Sequence, residues 1–319
     1  MRILHISDLH LKEPLGIKSN SILERFNEII YINANEKRFD EIVISGDIRD
    51  STGGINARNA AAVIERIALS AKLSDMQCVH IVPGNHDLER GESDRISDIR
   101  RGYDYANGTF KDPKSDLQYM LERFNGFFFN LCRELYGDVS PWGIQQGNPH
   151  CISIHEDYAL ILLNSSMCCI SNDNDGNLII GTSYIKQLID DYEKNVRSVI
   201  FIAHHPMQNL ANPEDTAFTE LLSTYADTQF YWMCGDAHNN RQSPREHVSL
   251  YQVGSLTISN DSIPDFAIYD IDDGYFGRKV FRFIDHLNRP AKNGAKSGGW
   301  KRVYIDPKAP SLYYDETLD

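Results

Sequence analysis

Short apolar runs rich in isoleucine and valine recur along the chain, and most of them end directly before a polar turn. They are Arg2–Ser7, Glu41–Ser45, Cys78–Val82, Tyr158–Asn164, Val199–Ala203 and Phe230–Cys234. Near-continuous apolar runs of this length are typical of strands that are buried on both faces. This pattern constrains the fold strongly, because a strand covered on both sides needs helices or a second sheet packed against it.

Three segments with helical spacing lie between these runs: Ile22–Asn33, Asn56–Lys72 and Thr182–Asn195. Asn56 and Thr182 are predicted to open their helices as N-caps. Strands that alternate with helices favour one α/β sandwich over separate all-α or all-β units. Three later runs have no helices between them and are expected to be antiparallel strands that complete a second sheet: Leu250–Val253, Ala267–Ile271 and Lys279–Ile284.

Two stretches depart from this alternation. Residues 89–150 form a long polar and aromatic insertion, predicted to be helical over Leu117–Tyr136. An insertion of this length is more often a functional lid or cap than an idle loop. Residues 286–319 contain Pro, Gly, Lys and Ser with little periodicity, so we expect an extended tail or a linker there. The predicted organisation is one domain over residues 1–285 that includes the insertion, followed by the tail.

Charge and apolar content narrow the class of protein. The chain has 32 basic and 45 acidic side chains and a formal charge of −13, which argues against non-specific nucleic-acid binding through a broad basic surface. Metal ions in a cleft would still reverse the local sign. No apolar run approaches the roughly 20 residues of a membrane helix, and the six scattered cysteines form no CxxC pair. We therefore expect a cytoplasmic protein that does not contact a membrane.

Five polar clusters follow the predicted strands. They are Asp8-Leu9-His10, Gly46-Asp47, Gly84-Asn85-His86-Asp87, His204-His205-Pro206 and Gly235-Asp236-Ala237-His238. Each cluster alone has an ordinary explanation as a turn or a core residue. Ligand-binding groups in open α/β sheets, however, gather outside the carboxyl ends of the strands. We therefore expect the five clusters to meet in one crevice.

The residue types in these clusters suit divalent metal ions. Carboxylate oxygen together with imidazole nitrogen binds ions such as Mn²⁺, Fe²⁺ or Zn²⁺. Two such ions about 3.5–4 Å apart clamp both sides of an in-line phosphoryl displacement and lower the pKa of a bridging water. A shared carboxylate holds the ions together, and a histidine outside the metal shell can protonate the leaving oxygen.

The order DxH, GD, GNH[DE], H and GxxH resembles the motifs of the calcineurin-like metallophosphoesterase superfamily. The motifs span residues 8–238, and the strand pattern extends the likeness to about residue 284. The resemblance implies a four-layer α/β/β/α sandwich, here with a helical insertion. For the first metal it implies the ligands Asp8, His10 and His238, for the bridge Asp47, and for the second metal Asn85, His204 and Asp236.

The resemblance also assigns a proton donor. It implies that His86 acts as general acid or transition-state stabiliser and that Asp87 orients it. Position 236 departs from the family, whose last motif is usually GHxH. Asp236 is a competent ligand, and its charge makes the second site harder and more favourable to Mn²⁺. A weaker second site, or an Asp236 that has swung away, is the alternative.

Details of the motifs distinguish branches of the family. Protein serine/threonine phosphatases resemble GDxxDRG and RGNHE, whereas this chain has GDIRDSTGG and PGNHD, with Pro83 in place of an arginine that grips phosphate. The opening MRILHISDLHL and the PGNHD motif are similar to the phosphodiesterase and repair-nuclease branches. We expect a two-metal-dependent phosphodiesterase that cleaves a nucleic-acid or nucleotide phosphodiester by in-line attack of a metal-bridging hydroxide. Mn²⁺ is the expected metal, with Fe²⁺, Zn²⁺ or Mg²⁺ as alternatives.

Three further residues are candidates for contact with the substrate: Arg241, Tyr103 and Asn164. Arg241 follows the last motif and could bind a phosphate. The sequence is equally consistent with a surface arginine that is only solvated. Tyr103 lies near the start of the insertion, and Asn164 closes a predicted strand at the same rim. A phosphomonoesterase and a non-catalytic interaction module with the same fold stay open as alternatives. A protein partner or a second copy could bind through the insertion or the tail.

Overall fold

The computed structural model describes residues 1–50, 54–142, 147–171, 176–190, 196–238, 241–257, 263–272, 275–284, 299–305 and 313–315. In chain order, the helices and strands of these residues are β1 (Arg2–Ile6), α1 (Ile17–Glu36), β2 (Glu41–Ile44), α2 (Ala57–Ser70), β3 (Val79–Ile81), α3 (Ser93–Gly102), α4 (Pro113–Glu122), α5 (Cys132–Tyr136), β4 (Cys151–Ile154), β5 (Tyr158–Leu162), α6 (Thr182–Asp190), β6 (Ser198–Ile202), α7 (Asn212–Ser223), β7 (Gln229–Cys234), β8 (Arg241–Arg245), β9 (Val248–Gln252), β10 (Asp265–Asp272), β11 (Tyr275–Ile284), β12 (Gly299–Ile305) and β13 (Tyr313–Asp315). None of these helices combines the length and the apolar character that crossing a membrane requires.

The strands form two sheets, and the central strands of each sheet run parallel to one another. The first sheet has the order β13-β12-β11-β10-β1-β2-β3, and the second has the order β4-β5-β6-β7-β9-β8. In the first sheet β1, β2 and β3 run parallel, and β10 joins β1 antiparallel. In the second sheet β5, β6, β7 and β9 run parallel. Parallel strands end at one edge of a sheet, so each sheet gathers the loops after its parallel strands at that edge.

Aromatic contacts show what covers the first sheet. Phe266 of β10 packs against Phe26 of α1, with ring centroids 4.9 Å apart. Tyr269 is three residues further along β10 and therefore lies on the opposite face. There it contacts Tyr251 of β9 at 5.4 Å. The first sheet thus has helix α1 on one face and the second sheet on the other.

The second sheet shows the same division. Trp232 of β7 packs against Phe218 of α7, with ring centroids 5.7 Å apart. The adjacent Tyr231 points to the other face and stacks on Phe276 of β11 at 4.5 Å. Helices therefore cover the outer faces and the two sheets face each other, which confirms the predicted α/β/β/α sandwich.

The late strands divide between the two sheets, which corrects the prediction that they complete a single antiparallel sheet. β9 pairs parallel with β7 in the second sheet. β10 and β11 pair antiparallel with each other in the first sheet, beside β1. Two residues separate β10 from β11, and a connection this short sets their antiparallel pairing. No local signal decides which sheet such a hairpin joins.

The expected tail contributes strands where the structure describes it. β12 pairs antiparallel with β11, with Val303 opposite Val280, and β13 pairs with β12. Val303 is buried. The expected boundary at residue 285 therefore does not separate the sheet from an extended tail over these residues. Pairing with β11 is a long-range effect that the composition of the segment does not reveal, and residues 286–298, 306–312 and 316–319 lie outside the described part of the chain.

The insertion is more helical than expected. Helix α3 adds to the predicted helical part, where α4, a π-helix over Gly126–Leu131 and α5 follow. Tyr136 donates a hydrogen bond of 2.7 Å to the carbonyl of Val79, and Trp142 donates one of 3.2 Å to the carbonyl of Ile81. The insertion is thereby fastened to β3, the outer strand of the first sheet.

Helix α2 begins as predicted. The side chain of Asn56 accepts a hydrogen bond of 2.9 Å from the backbone N–H of Asn59, which is the N-cap contact expected of an asparagine at this position.

Candidate metal centre

The loops that follow five strands meet at one edge of the sandwich. β1, β2 and β3 belong to the first sheet, and β6 and β7 belong to the second. The side chains that these loops bring together are Asp8, His10, Asp47, Asn85, His86, His204, Asp236 and His238. The convergence expected from the five motifs is therefore present in the structure.

The backbone of this site is bent in an unusual way. Within the described residues, seven that are not glycine have positive φ, and five of them are the site residues Asp8, His10, Asp47, Asp236 and His238. A residue in a sparsely populated backbone region costs roughly 1–3 kcal/mol and persists only where its surroundings hold it. The bends turn the side chains out of the strand direction and into the crevice.

Two motif glycines permit a close approach of the chain to the site. A Cβ atom on Gly84 would lie 2.1 Å from Oδ1 of Asp47. A Cβ atom on Gly235 would lie 1.8 Å from Oγ of Ser7 and 2.4 Å from Oδ2 of Asp8. A side chain at either position would displace a carboxylate of the site, which explains why glycine precedes the polar residues in both motifs.

Asp8, His10 and His238 form the first ligand group. Nε2 of His238 lies 3.2 Å from Oδ1 of Asp8 and 3.2 Å from Nε2 of His10. Atoms that bind one ion at about 2.1 Å lie about 3.0–3.4 Å apart. Oδ1 of Asp8 is buried and receives no hydrogen bond of good geometry from the described residues. This donor set therefore fits a cation.

His204 is the centre of the second ligand group. Its Nδ1 donates to the backbone carbonyl of Ser45 at 2.8 Å, which leaves Nε2 facing the crevice. Nε2 lies 3.0 Å from Oδ1 of Asn85, 3.4 Å from Oδ1 of Asp47 and 3.6 Å from Oδ1 of Asp236. Three oxygens from three loops thus surround one imidazole nitrogen.

Asp47 lies between the two groups. Its Oδ1 faces His204, whereas its Oδ2 is 3.8 Å from Nε2 of His10. The carboxylate is almost fully buried. Burial alone would raise the pKa of Asp47, but the nearby His204 and His10 lower it, so Asp47 is an ionised carboxylate with one oxygen toward each group.

Asp236 points into the crevice and has not swung away. Its backbone N–H donates to Oδ2 of Asp8 at 3.1 Å, and Oδ2 of its side chain accepts a hydrogen bond from Asn209 at 3.2 Å. Burial, with the charges of Asp8 and Asp47 and against that of His204, raises the pKa of Asp236 to about 6. Several carboxylates so close together need a compensating positive charge.

The role expected for Asp87 is not the one that the structure shows. Its carboxylate accepts hydrogen bonds from the backbone N–H groups of Gly84 at 3.0 Å, Ile48 at 3.1 Å and Arg49 at 3.0 Å. These donors bind both oxygens of the buried carboxylate and tie the loop after β2 to the loop after β3. Asp87 therefore holds the backbone that carries His86, through hydrogen bonds that both of its oxygens accept from backbone N–H groups.

His86 itself lies beside the ligand groups. Its Nε2 is 3.9 Å from Oδ2 of Asp47, and its ring packs edge-on against His10 with centroids 4.9 Å apart. The side chain is 18% exposed, so a molecule in the crevice can reach it. This position suits a group that acts on a substrate atom.

A cavity of about 620 Å³ opens over the site. The described residues that line it from the ligand loops include His10, Asp47, Asn85, His86, Asp236 and His238. Another part of the wall comes from the segment between β1 and α1, with Lys12, Pro14, Leu15 and Gly16, and from Ser19 in the first turn of α1. Sequence reasoning missed this wall, although Lys12 stands in the loop that begins with Asp8.

The three candidates for substrate contact do not line this cavity. Tyr103 is buried and its hydroxyl donates to Glu214 of α7 at 3.3 Å, so it joins the insertion to that helix. Asn164 is fully buried. Arg241 begins β8 and is exposed. Their positions along the chain, next to a motif, at the start of the insertion and at a strand end, suggested a substrate contact, but none of the three is among the residues that line this cavity.

Two residues beside the second ligand group were not predicted as site residues from the sequence. His205, the neighbour of His204, is buried, and its Nδ1 is hydrogen bonded to Oγ of Ser165 at 3.0 Å. Its Nε2 lies 3.9 Å from Oδ1 of Asp236. Asn209 binds the other oxygen of Asp236 and lies in a 3-10 turn after the HHP motif. No periodicity marks Asn209.

Comparison with known proteins gives a relative of similar sequence. The uncharacterized metallophosphoesterase-like protein YydB of Bacillus subtilis (strain 168) is 23% identical over 285 residues, which cover 85% of this chain and 57% of the relative. The chain thus spans little more than half of the length of this relative.

Two solved structures are similar to the chain at low identity. The dimetal phosphatase LOC 393393 from Danio rerio is 12% identical, with a TM-score of 0.48, and the match covers 88% of this chain and 95% of that one. The phosphoesterase Yfce from E. coli is 15% identical, with a TM-score of 0.36 and coverage of 93% and 99%.

The family described as calcineurin-like phosphoesterase matches residues 1–240 of the 319. The matched part contains both ligand groups, Asp47 between them and His86. This chain belongs to the calcineurin-like phosphoesterase family.

Proposed function

We propose that this protein is a two-metal phosphodiesterase that cleaves a phosphodiester of a nucleic acid or a nucleotide. Membership of the calcineurin-like phosphoesterase family supports a metal-dependent phosphoester hydrolase. The observation that carries the two-metal proposal is the position of Asp47. One of its oxygens faces His204 and the other faces His10, as a carboxylate shared between two ions requires.

The donor set supports two divalent ions. Asp8, His10, His238 and one oxygen of Asp47 would hold the first, and Asp47, Asn85, His204 and Asp236 would hold the second. When bound, two divalent ions supply positive charge for the phosphoryl oxygens and lower the pKa of a water that can attack phosphorus. The second group offers three oxygen donors to one nitrogen, which favours Mn²⁺ over softer ions.

His86 is the proposed proton donor. Its ring lines the cavity and lies beside Asp47, and the proton on Nε2 would pass to the ester oxygen that leaves the phosphorus. The backbone N–H of His86 donates to Oδ1 of Asp47 at 2.8 Å. Asp87 keeps the same loop in place through its three backbone hydrogen bonds. The ring is thus positioned from the backbone.

The cavity supports a diester over a monoester. Lys12 is the one lysine or arginine among the described residues that line it, and its Nζ is paired with Oδ2 of Asp50 at 3.1 Å. A monoester phosphate carries close to two charges at neutral pH, whereas a diester carries one. Pro14 and Leu15, which line the same cavity, give apolar room for the second ester substituent.

Comparison of substrates tests this proposal. The purified chain would be loaded with Mn²⁺ and assayed on bis(p-nitrophenyl) phosphate, p-nitrophenyl phosphate, cyclic nucleotides, and single- and double-stranded DNA. We expect kcat/KM to be highest on a diester. A preference for the monoester would establish a phosphomonoesterase, and no turnover with bound metal would establish an interaction module.

A further inference from the structure

A second group of metal-binding side chains lies at the other end of the strands from the candidate metal centre. Glu41 is the first residue of β2, whereas Asp47 follows the end of the same strand. Strands rise about 3.3 Å per residue, so β2 alone separates the two places by about 10 Å. His80 lies in β3, and His155 lies in the turn between β4 and β5. This group is separate from the catalytic crevice.

The three side chains come from both sheets. Val43 pairs with His80, and Val43 is two residues from Glu41, so Glu41 and His80 point to the same face of the first sheet. Tyr158 of β5 donates a hydrogen bond of 2.9 Å to Oε1 of Glu41, which shows that this face meets the second sheet. His155 approaches the group from that side.

The distances are close to those of a metal site. Nε2 of His80 lies 2.8 Å from Oε2 of Glu41, and Nδ1 of His155 lies 3.6 Å from Oε1. The three ligand atoms lie within 4.8 Å of one another. Ligands of a tetrahedral zinc ion, at about 2.0–2.1 Å, lie about 3.3–3.4 Å apart. The distance between His80 and Glu41 is that of a hydrogen bond, so an ion would replace this bond. That pair would separate by about 0.5 Å and His155, whose turn is at the surface, would approach by a smaller amount to reach the spacing of zinc ligands.

Burial and neighbouring contacts orient these ligands. The side chains of His80 and Glu41 are 3% and 4% exposed, and that of His155 is 27% exposed. A hydrogen bond of 3.2 Å joins Nε2 of His155 to Oγ of Ser153, so Nδ1 faces Glu41. The ring of His155 also stacks on Tyr158, with centroids 4.3 Å apart. Outer contacts of this kind hold histidine ligands in place in metal sites.

We propose that Glu41, His80 and His155 form a third metal site, which binds Zn²⁺ and leaves a fourth position for water on the exposed side of His155. Two imidazoles and one carboxylate are a donor set that zinc accepts, with one position open. The ion would join the first sheet to the turn between β4 and β5. This site goes beyond the proposed activity and does not depend on it.

Zinc binding by the full chain without an affinity tag tests the site. The double variant Asp8→Asn/Asp47→Asn weakens the catalytic metal centre and serves as the background. After chelator treatment and dialysis, Zn²⁺ bound per chain is measured by mass spectrometry, and Co²⁺ is used as a spectroscopic probe of tetrahedral coordination. We expect one equivalent of zinc in the background and its loss when His155→Ala is added. Ser153→Ala should weaken binding about 10–100-fold, as outer-shell changes do.

His247→Ala is the matched control. His247 is exposed, and its Nε2 lies 3.7 Å from the carboxylate of Glu246. Among the described residues, His247 belongs to no group of three side chains that could hold a metal ion. It should leave the zinc content unchanged. Circular dichroism of each variant confirms that it is folded. The proposal would be overturned if the double variant Asp8→Asn/Asp47→Asn bound no zinc. It would also be overturned if adding His155→Ala left the zinc content as high as adding His247→Ala does. Either result would show that Glu41, His80 and His155 form only a hydrogen-bonded cluster.

Discussion

The backbone N–H of His86 donates a hydrogen bond of 2.8 Å to Oδ1 of Asp47. Oδ2 of the same carboxylate lies 3.9 Å from Nε2 of the His86 ring. The residue placed between the two ligand groups therefore also fixes the chain that carries the proposed proton donor. A change at Asp47 is expected to disturb metal binding and the position of His86 together.

Asp47→Asn should remove most of the bound metal and lower turnover by more than about 100-fold, since even an outer-shell change costs 10–100-fold. Asparagine has the same shape as aspartate, but it supplies a single neutral oxygen. The two ligand groups would then no longer share a charged carboxylate with one oxygen for each. Metal content after dialysis and turnover with Mn²⁺ are the measurements. Asp215→Asn, at a surface carboxylate paired with Arg245 at 2.7 Å, is the control. Two metals per chain and a near-normal rate would show that Asp47 does not bridge.

His86→Gln should lower the rate about 10²–10⁴-fold, the usual contribution of general acid catalysis, and should leave the metal content unchanged. The loss depends on the leaving group, because nitrophenolate barely needs a proton and a ribose oxygen needs one. The measurement is a pair of rates, on a chromogenic diester and on a nucleotide diester. Equal losses on both would assign His86 to positioning the phosphoryl group, and loss of metal would make it a ligand.

Asp87→Asn should act mainly on stability. The amide keeps one acceptor oxygen but turns an N–H₂ group toward backbone donors, so we expect a loss of about 3 kcal/mol in the free energy of unfolding. Denaturant unfolding measures it. The dependence of the rate on the leaving group should stay as in the wild type. A variant of unchanged stability that behaves like His86→Gln in the paired assay would restore the role of orienting His86.

Asp236→His should move the metal preference from Mn²⁺ toward Zn²⁺ or Fe²⁺. The change replaces an oxygen donor by nitrogen in the second group, and we expect the ratio of affinities to shift by roughly tenfold, or about 1.4 kcal/mol. Competition between Mn²⁺ and Zn²⁺ at the second site measures it. An unchanged ratio would mean that Asp236 touches no ion.

His150 makes the fold sensitive to acid. Its Nε2 donates to the carbonyl of Ile180 at 2.6 Å, and its Nδ1 accepts from the backbone N–H of Asn164 at 3.1 Å. The ring is therefore neutral, and burial lowers the pKa of His150 to about 4, against the opposing hydrogen bond to Ile180.

The unfolded chain binds a proton at His150 near pH 6.5, whereas the folded chain binds it only near pH 4. The contribution of the neutral His150 ring to the free energy of unfolding is complete above pH 6.5 and is lost as the pH falls from 6.5 to 4. At pH 5 the loss amounts to about 2 kcal/mol. His150→Gln should be less stable at pH 7 but should lose less stability between pH 7 and pH 5 than the wild type. Equal losses, measured by denaturant unfolding, would contradict this.

The parts of the site that could be predicted from the sequence are those encoded next to a strand. His204 and Asp8 each follow an apolar run directly, so the strand end determines where they lie. Asn209 could not be predicted, because its contact with Asp236 depends on how a loop returns to the second sheet.

Position along the chain also led to wrong predictions of side-chain contacts. Asp87 is adjacent to His86, yet its carboxylate turns to the backbone of Gly84 and Arg49, where a buried charge finds donors. Tyr103 lies in a polar insertion, yet its hydroxyl is bonded to the buried Glu214. In both cases burial and the need of polar groups for partners decided the position, and these are properties of the folded chain.

The hydrogen bonds from Tyr136 and Trp142 to β3 have a consequence for the behaviour of the chain in crowded solution. β3 is the outermost strand of its sheet, and its unpaired carbonyls would offer a template for the strand of another molecule. The side chains of the insertion occupy the carbonyls of Val79 and Ile81. Besides any part in catalysis, the insertion thus keeps this border of the sheet from pairing with other chains, and its removal would expose a surface prone to aggregation.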